Sequence, residues 1–205
     1  MVQEQLITRN ITDQLVLEAM LEVPRHLFVE DALRAQAYSD FPLPIGEGQT
    51  ISQPYIVALM TQMLSLKGHE KVLEVGTGCG YQTAVLARLC SRVYSVERIK
   101  KLLAKARKNL DKTHCFNALC RVADGTLGWP EHAPYDAIMV TAGGPEIPNA
   151  LVEQLADPGT MVIPVGDRMT QQLTKISKHG GEITVEKGEM VRFVNLIGAQ
   201  GWHLE

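Results

Sequence analysis

The stretch Val72-Leu73-Glu74-Val75-Gly76-Thr77-Gly78-Cys79-Gly80 constrains the fold more than any other part of the chain. Val72, Leu73 and Val75 predict a short buried strand. The glycines at 76, 78 and 80 then remove any side chain that could block a ligand. Tyr81, Ala84, Val85, Leu86 and Leu89 follow at helical spacing. Strand, glycine loop and helix form the opening unit of a nucleotide-binding α/β sheet, in which ligands sit beyond the carboxyl ends of the strands.

The spacing of the glycines narrows the ligand. A dinucleotide fingerprint would read G-x-G-x-x-G, and its third glycine would fall where Tyr81 stands. The loop also lacks the Lys and Ser/Thr of a phosphate-binding P-loop. Arg92-Val93-Tyr94-Ser95-Val96 predicts the next strand, and it ends at Glu97. That carboxylate lies about twenty residues past the loop, where an acid grips the two ribose hydroxyls. The pattern asks for a ribose without a pyrophosphate. S-adenosylmethionine (AdoMet), an adenosine joined to an amino-acid tail, meets that demand. A glycine turn in an ordinary α/β protein is the plainer reading. Acids at both strand ends, Glu74 and Glu97, favour nucleoside binding over it.

At 205 residues the chain is long enough for one domain with a full core. A net charge of -3 and a pI near 6.1 argue against a nucleic-acid scaffold, although they leave room for a local basic patch. Cys79, Cys90, Cys115 and Cys120 form no CxxC pair and predict reduced core thiols in a cytoplasmic protein. The histidines are scattered, and no metal site is expected. No apolar run approaches membrane-span length. The polar start, Met1 to Asn10, lacks a signal-peptide core. Leu204-Glu205 carries no expectation.

Residues 11–22 predict a helix capped by Thr12 or Asp13, an outer layer or lid to the sheet. Val29 to Ala37 predicts a second short helix, and Tyr38 to Gly46 a stiff extended segment. Gly46 to Pro54 is polar and glycine-rich and leads into an amphipathic helix through Ile56, Leu59, Met60, Met63 and Leu64. Ser52 or Gln53 stands at its N-cap, Pro54 suits its first turn, and Gly68 ends it. On residue type alone, Thr50 and Ser52 read as capping groups. The basic run from Ile99 to Leu110 predicts a solvated helix with Leu102, Leu103 and Ala106 turned inward. Further strands are predicted over Leu119 to Ala123, Tyr135 to Ala142 and Thr160 to Val165, with a helix over Ile147 to Leu155. Asp124-Gly125 stands at one strand end and alone reads as a common turn. Gln172 to Ser177, Ile183 to Lys187 and Met190 to Ile197 predict antiparallel strands that complete the sheet edge. The expected fold class is α/β, a doubly wound, mostly parallel sheet with helices on both faces.

Taken together, these segments make nearly the whole chain, roughly Asp13 to Gly198, resemble the protein-L-isoaspartate O-methyltransferase family. Leu43 to Pro54, which contains Gly46-Glu47-Gly48-Gln49-Thr50-Ile51-Ser52-Gln53, is the stretch specific to that family. Val72 to Tyr81 is similar to AdoMet-dependent methyltransferases at large. Tyr94 to Arg98, Asp124-Gly125, Tyr135 to Ile138 and Val191-Arg192-Phe193-Val194 complete the likeness. Where the family has proline after Phe-Val, this chain has Asn195, which restores a backbone donor.

The resemblance implies one domain over residues 1–205. Its N-terminal covering segment would be 1–66, its cofactor core 67–165 and its edge strands 166–205. It implies that Gly76, Thr77, Gly78 and Gly80 lie under the methionine part of AdoMet, that Glu97 holds the ribose, and that Asp124 and Gly125 hold the adenine. Gln49, Thr50, Ile51 and Ser52 would lie across the sulfonium, with Thr50, Ile51, Ser52 and Val194 on the substrate and Ser52 as the catalytic residue. The substrate would be the free α-carboxylate of an isoaspartyl residue in a damaged peptide or protein. Its pKa, about 3.5 for an α-carboxyl group, leaves it ionised at neutral pH, so no strong base is needed. The coproduct would be S-adenosylhomocysteine. A monomer without nucleic acid, membrane or metal is expected. A methyltransferase of small molecules or RNA, a non-catalytic AdoMet-binding module and an NAD-binding protein are the alternatives.

Overall fold

The computed structural model describes residues 1–203; Leu204 and Glu205 lie outside the described residues. Asp13 caps α1 (Gln14–Glu22), its carboxylate accepting from the amides of Leu15 and Val16. Val16, Leu17, Ala19 and Met20 of this helix are buried. The helix expected over Val29 to Ala37 is instead a 3-10 segment, Asp31–Gln36. Of the extended segment expected over Tyr38 to Gly46, the first part turns instead, with Ser39 N–H donating to Gln36 O at 3.0 Å and Phe41 N–H to Ser39 O at 2.9 Å. Only its end is extended, as β1 (Leu43–Gly46), which pairs antiparallel with β2 (Gln49–Ile51). Their turn, Glu47-Gly48, has φ of 53° and 69°, the doubly left-handed geometry that matches the twist of a two-residue hairpin.

Gln53 stands at the N-cap of α2 (Pro54–Leu64), with Pro54 at its first position. The helix ends at Ser65, which takes the left-handed conformation at φ 55°. Gly68, the expected terminator, makes the next turn instead, at φ 104°.

The remaining elements are β3 (Lys71–Val75), α3 (Tyr81–Leu89), β4 (Arg92–Glu97), α4 (Lys100–Lys112), β5 (Ala118–Val122), β6 (Tyr135–Val140), α5 (Asn149–Glu153), β7 (Leu155–Gly166), β8 (Gln171–His179) and β9 (Glu182–Val191). Among the described residues the main sheet has seven strands in the order β5-β4-β3-β6-β7-β8-β9. The pairs from β5 to β7 are parallel, and β8 and β9 are antiparallel additions. This is the expected doubly wound class. The chain leaves β3 toward β4 on one side and leaves β6 toward β7 on the other. The carboxyl ends of β3 and β6 therefore flank the topological switch point, where such sheets bind ligands.

Side-chain alternation divides the core between the two faces. Val72, Ala137, Met139 and Val162 join Tyr81, Leu86 and Leu102 on one side. Leu73, Val75, Ile138, Val140, Met161 and Ile163 join Leu151 of α5 on the other. Val2, Leu6, Ile11 and the buried face of α1 belong to the same apolar cluster as Val72 and Val93. The N-terminal segment is thus packed into the core, and α1 is an outer layer.

Two expectations for the C-terminal third need correction. The helix over Ile147 to Leu155 contracts to α5, because Tyr135 N–H donates to Gln154 O at 2.9 Å and Leu155 already pairs with Tyr135 in the sheet. The last strand, Met190 to Ile197, does not form as a unit. Met190 and Val191 finish β9. The buried Gln171 side chain then accepts from Phe193 N–H at 2.8 Å. Past that bond the chain crosses to the end of β6, where Gly143 N–H donates to Val194 O at 2.8 Å and Leu196 N–H to Gly143 O at 2.9 Å. Gly143 permits this approach, since a Cβ there would lie 2.8 Å from Gln171 Cδ.

Candidate active site

The glycine loop after β3 is fixed from both neighbouring strands. Gly76 N–H donates to Val96 O at 2.8 Å, and Thr141 N–H donates to Val75 O at 2.9 Å. The Thr141 hydroxyl donates to Gly76 O at 2.7 Å. Gly76 takes φ 99°, and a Cβ would stand 2.3 Å from that hydroxyl. Glycine is required here by the backbone conformation and by the close approach alike.

The two acids that bracket the loop have different surroundings. Glu97, at the end of β4, accepts from Gly78 N–H at 2.8 Å and from Ile99 N–H at 2.8 Å. A carboxylate has about four acceptor positions, so capacity remains for two more donors. Glu74 is fully buried under the loop and does not line the cleft. One of its oxygens accepts from the Ser95 and Thr83 hydroxyls at 2.5 Å each. The other has no partner among the described residues. Burial pushes its pKa up to about 8, so the group is mostly protonated at neutral pH. Glu74 is a core residue, and only Glu97 can meet a ligand.

The β1–β2 hairpin delivers Gln49, Thr50, Ile51 and Ser52 to the opposite wall. Ser52 is not a helix cap: Gln53 holds that position, and no side-chain capping bond is made. The Asp40 carboxylate supports this helix start instead, accepting from Gln53 Nε2 at 2.8 Å and from Tyr55 N–H at 3.4 Å. The Ser52 hydroxyl has no hydrogen-bond partner among the described residues, whereas its carbonyl accepts from Arg25 Nη2 at 2.7 Å.

These walls enclose one cleft with roughly 920 Å³ of empty space, its mouth to solvent included. That volume is within the range of small-molecule sites. Gln49, Thr50, Ile51, Ser52, Gly76, Thr77, Gly78, Glu97, Gly125 and Val194 all line it. Gly80 and Asp124 do not. Gly80 packs against α4, where a Cβ would lie 3.3 Å from Leu110 Cγ. The Asp124 carboxylate accepts from the Thr126 amide and hydroxyl and from Ala199 N–H, so it ties the C-terminal segment down. Gly125 does reach the cleft, beside Val75, whose Cγ1 a Cβ would approach to 2.4 Å.

The cleft also contains residues that sequence reasoning missed. Thr141 and Ala142 follow β6, the strand beside β3, and the strand-end rule applied to both strands would have found them. Asn195, Leu196 and Ile197 line it because the chain crosses to Gly143, and no local pattern announces that. Asn195 N–H takes part in neither bond to Gly143. The donor gained by having asparagine at this position is therefore not spent on the crossing.

The thiols are core groups. Cys79, Cys90 and Cys115 are buried and free, and burial raises Cys79 and Cys115 to about 11. Among the described residues no cluster of His, Cys, Asp and Glu could hold a metal ion, and no helix is long and apolar enough to cross a membrane.

The family model described as Protein-L-isoaspartate(D-aspartate) O-methyltransferase (PCMT) matches residues 1–201. A protein-L-isoaspartate O-methyltransferase of Geobacter metallireducens is 56% identical over 206 residues, covering 100% of this chain and 95% of that protein. One from Trichlorobacter lovleyi is 58% identical over 205 residues, covering 100% of this chain and 94% of the relative. A solved protein-L-isoaspartate O-methyltransferase superposes with a TM-score of 0.87 at 29% identity, over 98% of this chain and 67% of that one. A Plasmodium falciparum chain described in the same terms, solved in complex with S-adenosyl-L-homocysteine, gives a TM-score of 0.83 at 29% identity over 96% of both chains.

Proposed function

The chain belongs to the protein-L-isoaspartate O-methyltransferase family, and we propose that it performs that family's reaction in the cleft between the glycine loop and the β1–β2 hairpin, with Ser52 guiding the substrate. It is an AdoMet-dependent carboxyl methyltransferase that acts on isoaspartyl residues of peptides and proteins. The observation that carries the site assignment is convergence. Ser52, Gly76, Gly78, Glu97 and Val194 come from four separate parts of the chain and line one cavity.

The residues present fit AdoMet. Gly76 and Gly78 line the cleft with backbone in positive-φ conformations, and Glu97 keeps acceptor capacity for two ribose hydroxyls. Gly125 leaves room for the adenine beside the end of β5. AdoMet supplies an electrophilic methyl group and leaves as S-adenosylhomocysteine.

What the chain must do is position and exclude water. The isoaspartyl carboxylate is already ionised, with a pKa of about 3.5, so no base has to deprotonate it. Among the described residues the cleft is lined by neither His nor Lys. The free Ser52 hydroxyl donates a hydrogen bond to one carboxylate oxygen and leaves the other to react. Thr50 and Ile51 on the hairpin and Val194 on the crossing segment flank the peptide. Drawing an anion and a cation together with loss of charge is favoured when water is kept away, and in-line alignment supplies the other large contribution.

We further infer a single domain acting as a monomer in the cytoplasm, without nucleic acid. The shared core of the N-terminal segment and the sheet supports the first point, and four free cysteines suit a reducing compartment. The deciding experiment is methyl transfer to two peptides that differ only in Asp versus isoAsp. Transfer to the isoAsp peptide alone is expected; equal transfer to both would overturn the substrate assignment.

A further inference from the structure

We propose that Arg25, which lies outside the cleft, is the positioning residue for Ser52. It holds the hairpin exit so that the serine hydroxyl faces the substrate carboxylate. This rests on the assignment of Ser52 as the guide.

The observations concern one buried guanidinium. Arg25 has no exposed surface. Its Nη2 donates to Ser52 O at 2.7 Å, and its Nε donates to Ala37 O at 2.7 Å. Its Cζ sits 4.8 Å from the centroid of the Tyr81 ring, and Tyr81 itself lines the cleft at the start of α3. Among the described residues no carboxylate pairs with it, and its Nη1 has no partner. Burying a cation without a counter-charge is costly, and a core built for stability alone would use an apolar side chain. Burial does pull the Arg25 pKa below its ordinary value, but a guanidinium starts high enough to stay charged.

The geometry accounts for that cost. Ser52 directly precedes the N-cap residue Gln53, and among the described residues its own side chain makes no bond that would fix its rotation. Asp40 fixes the chain one residue later, through Gln53 and the Tyr55 amide. Pairing with β1 fixes the chain up to Ile51, one residue earlier. Between these anchors, among the described residues, the Ser52 carbonyl is held by Arg25 alone. A planar donor fork, lying over the Tyr81 ring and anchored at Ala37, sets the peptide plane after Ser52. A lysine could keep the charge but not the two-point fork.

The test is a double-mutant cycle with Arg25→Lys and Ser52→Ala, assayed with an isoAsp peptide. Arg25→Lys alone is expected to lower kcat roughly ten- to a hundred-fold, the scale of a misplaced guiding group, with AdoMet Kd unchanged. In the Ser52→Ala background the same change is expected to lower kcat less than about three-fold, because residues acting as a unit are not additive. A merely structural Arg25 would lower the melting temperature and multiply with Ser52→Ala in full. Full multiplicativity, or wild-type kcat in Arg25→Lys, overturns the proposal. If Ser52→Ala alone turns over at the wild-type rate, the assignment of Ser52 fails instead, and the two failures are distinguishable. Should the lysine variant not fold, Arg25→Gln, whose Nε2 falls about where Nε donates to Ala37 O and which has no atom in place of the Nη2 that donates to Ser52 O, replaces it in the same cycle with the same expected outcome.

Discussion

Glu97 accepts the amide hydrogen of Gly78 across 2.8 Å, so the acid at the end of β4 and the glycine loop after β3 form one unit. The same carboxylate accepts from Ile99 at the approach to α4. A ligand that meets Glu97 therefore meets a loop already held in place.

Replacing Glu97 with Gln keeps the size and removes the charge. It also turns an NH2 group toward one of two amide hydrogens, donor against donor. Hydrogen bonds to a charged group contribute about 1.5–3 kcal/mol, so AdoMet affinity should fall roughly ten- to a hundred-fold. Calorimetry with AdoMet reads this directly. An unchanged Kd would mean that the ribose is held elsewhere.

Gly78→Val tests the loop. Gly78 has φ 55°, and a Cβ would lie 3.3 Å from Ile45 Cδ1. A β-branched residue is strained in that conformation and presses on the buried Ile45, so the loop must shift from its cleft-lining position. AdoMet binding should be lost while thermal unfolding stays cooperative. Normal binding in a folded variant would overturn the loop's assignment.

Ser52→Ala separates guidance from capping. Since Ser52 makes no capping bond, stability should change by no more than about 0.5 kcal/mol. AdoMet affinity should hold, and turnover of an isoAsp peptide should fall on the order of ten- to a thousand-fold. Some activity must survive, because the carboxylate is ionised unaided. Stability, affinity and turnover measured on one preparation decide the matter, and a wild-type rate would remove Ser52 from the site.

Glu74 should make stability depend on pH. Its folded pKa of about 8 lies above the ordinary 4.5. Between those values the folded protein keeps a proton that the unfolded chain has released. The group's contribution is therefore complete below pH 4.5 and is lost as pH rises toward 8. The slope is at most about 1.4 kcal/mol per pH unit. Urea unfolding over this window should show a flatter profile in Glu74→Gln than in the wild type. Parallel profiles would mean that Glu74 is ionised in the folded protein.

Much of the molecule was legible before the structure. Val72 to Gly80 and Arg92 to Glu97 reveal strand, loop and acid because each is a local pattern whose meaning depends on its own spacing. The parallel centre and antiparallel edge follow from helices between the early strands and short turns between the late ones. Turn and cap positions shifted by a few residues, as at Ser65 against Gly68, because several residues can take the left-handed conformation and packing selects one.

Tertiary structure decided which way the polar groups face. Glu74 and Glu97 look equivalent in sequence, but register sets Glu74 opposite Ser95 beneath α3, whereas Glu97 stands at a strand end in the cleft. Asp124 turns to Thr126 and Ala199, which lie on both sides of a chain crossing that no local pattern marks. Ser52 read as a cap from residue type, and its hydroxyl proved free because Asp40 and Arg25, both distant in sequence, hold the backbone around it. The sequence by itself determined the sheet, the glycine loop and the acid at the end of β4, which arise from periodicity and backbone conformation. Only the tertiary structure decided which hydroxyls and carboxylates remain available to a ligand, since a polar group is free or spent according to the partners that long-range contacts bring to it.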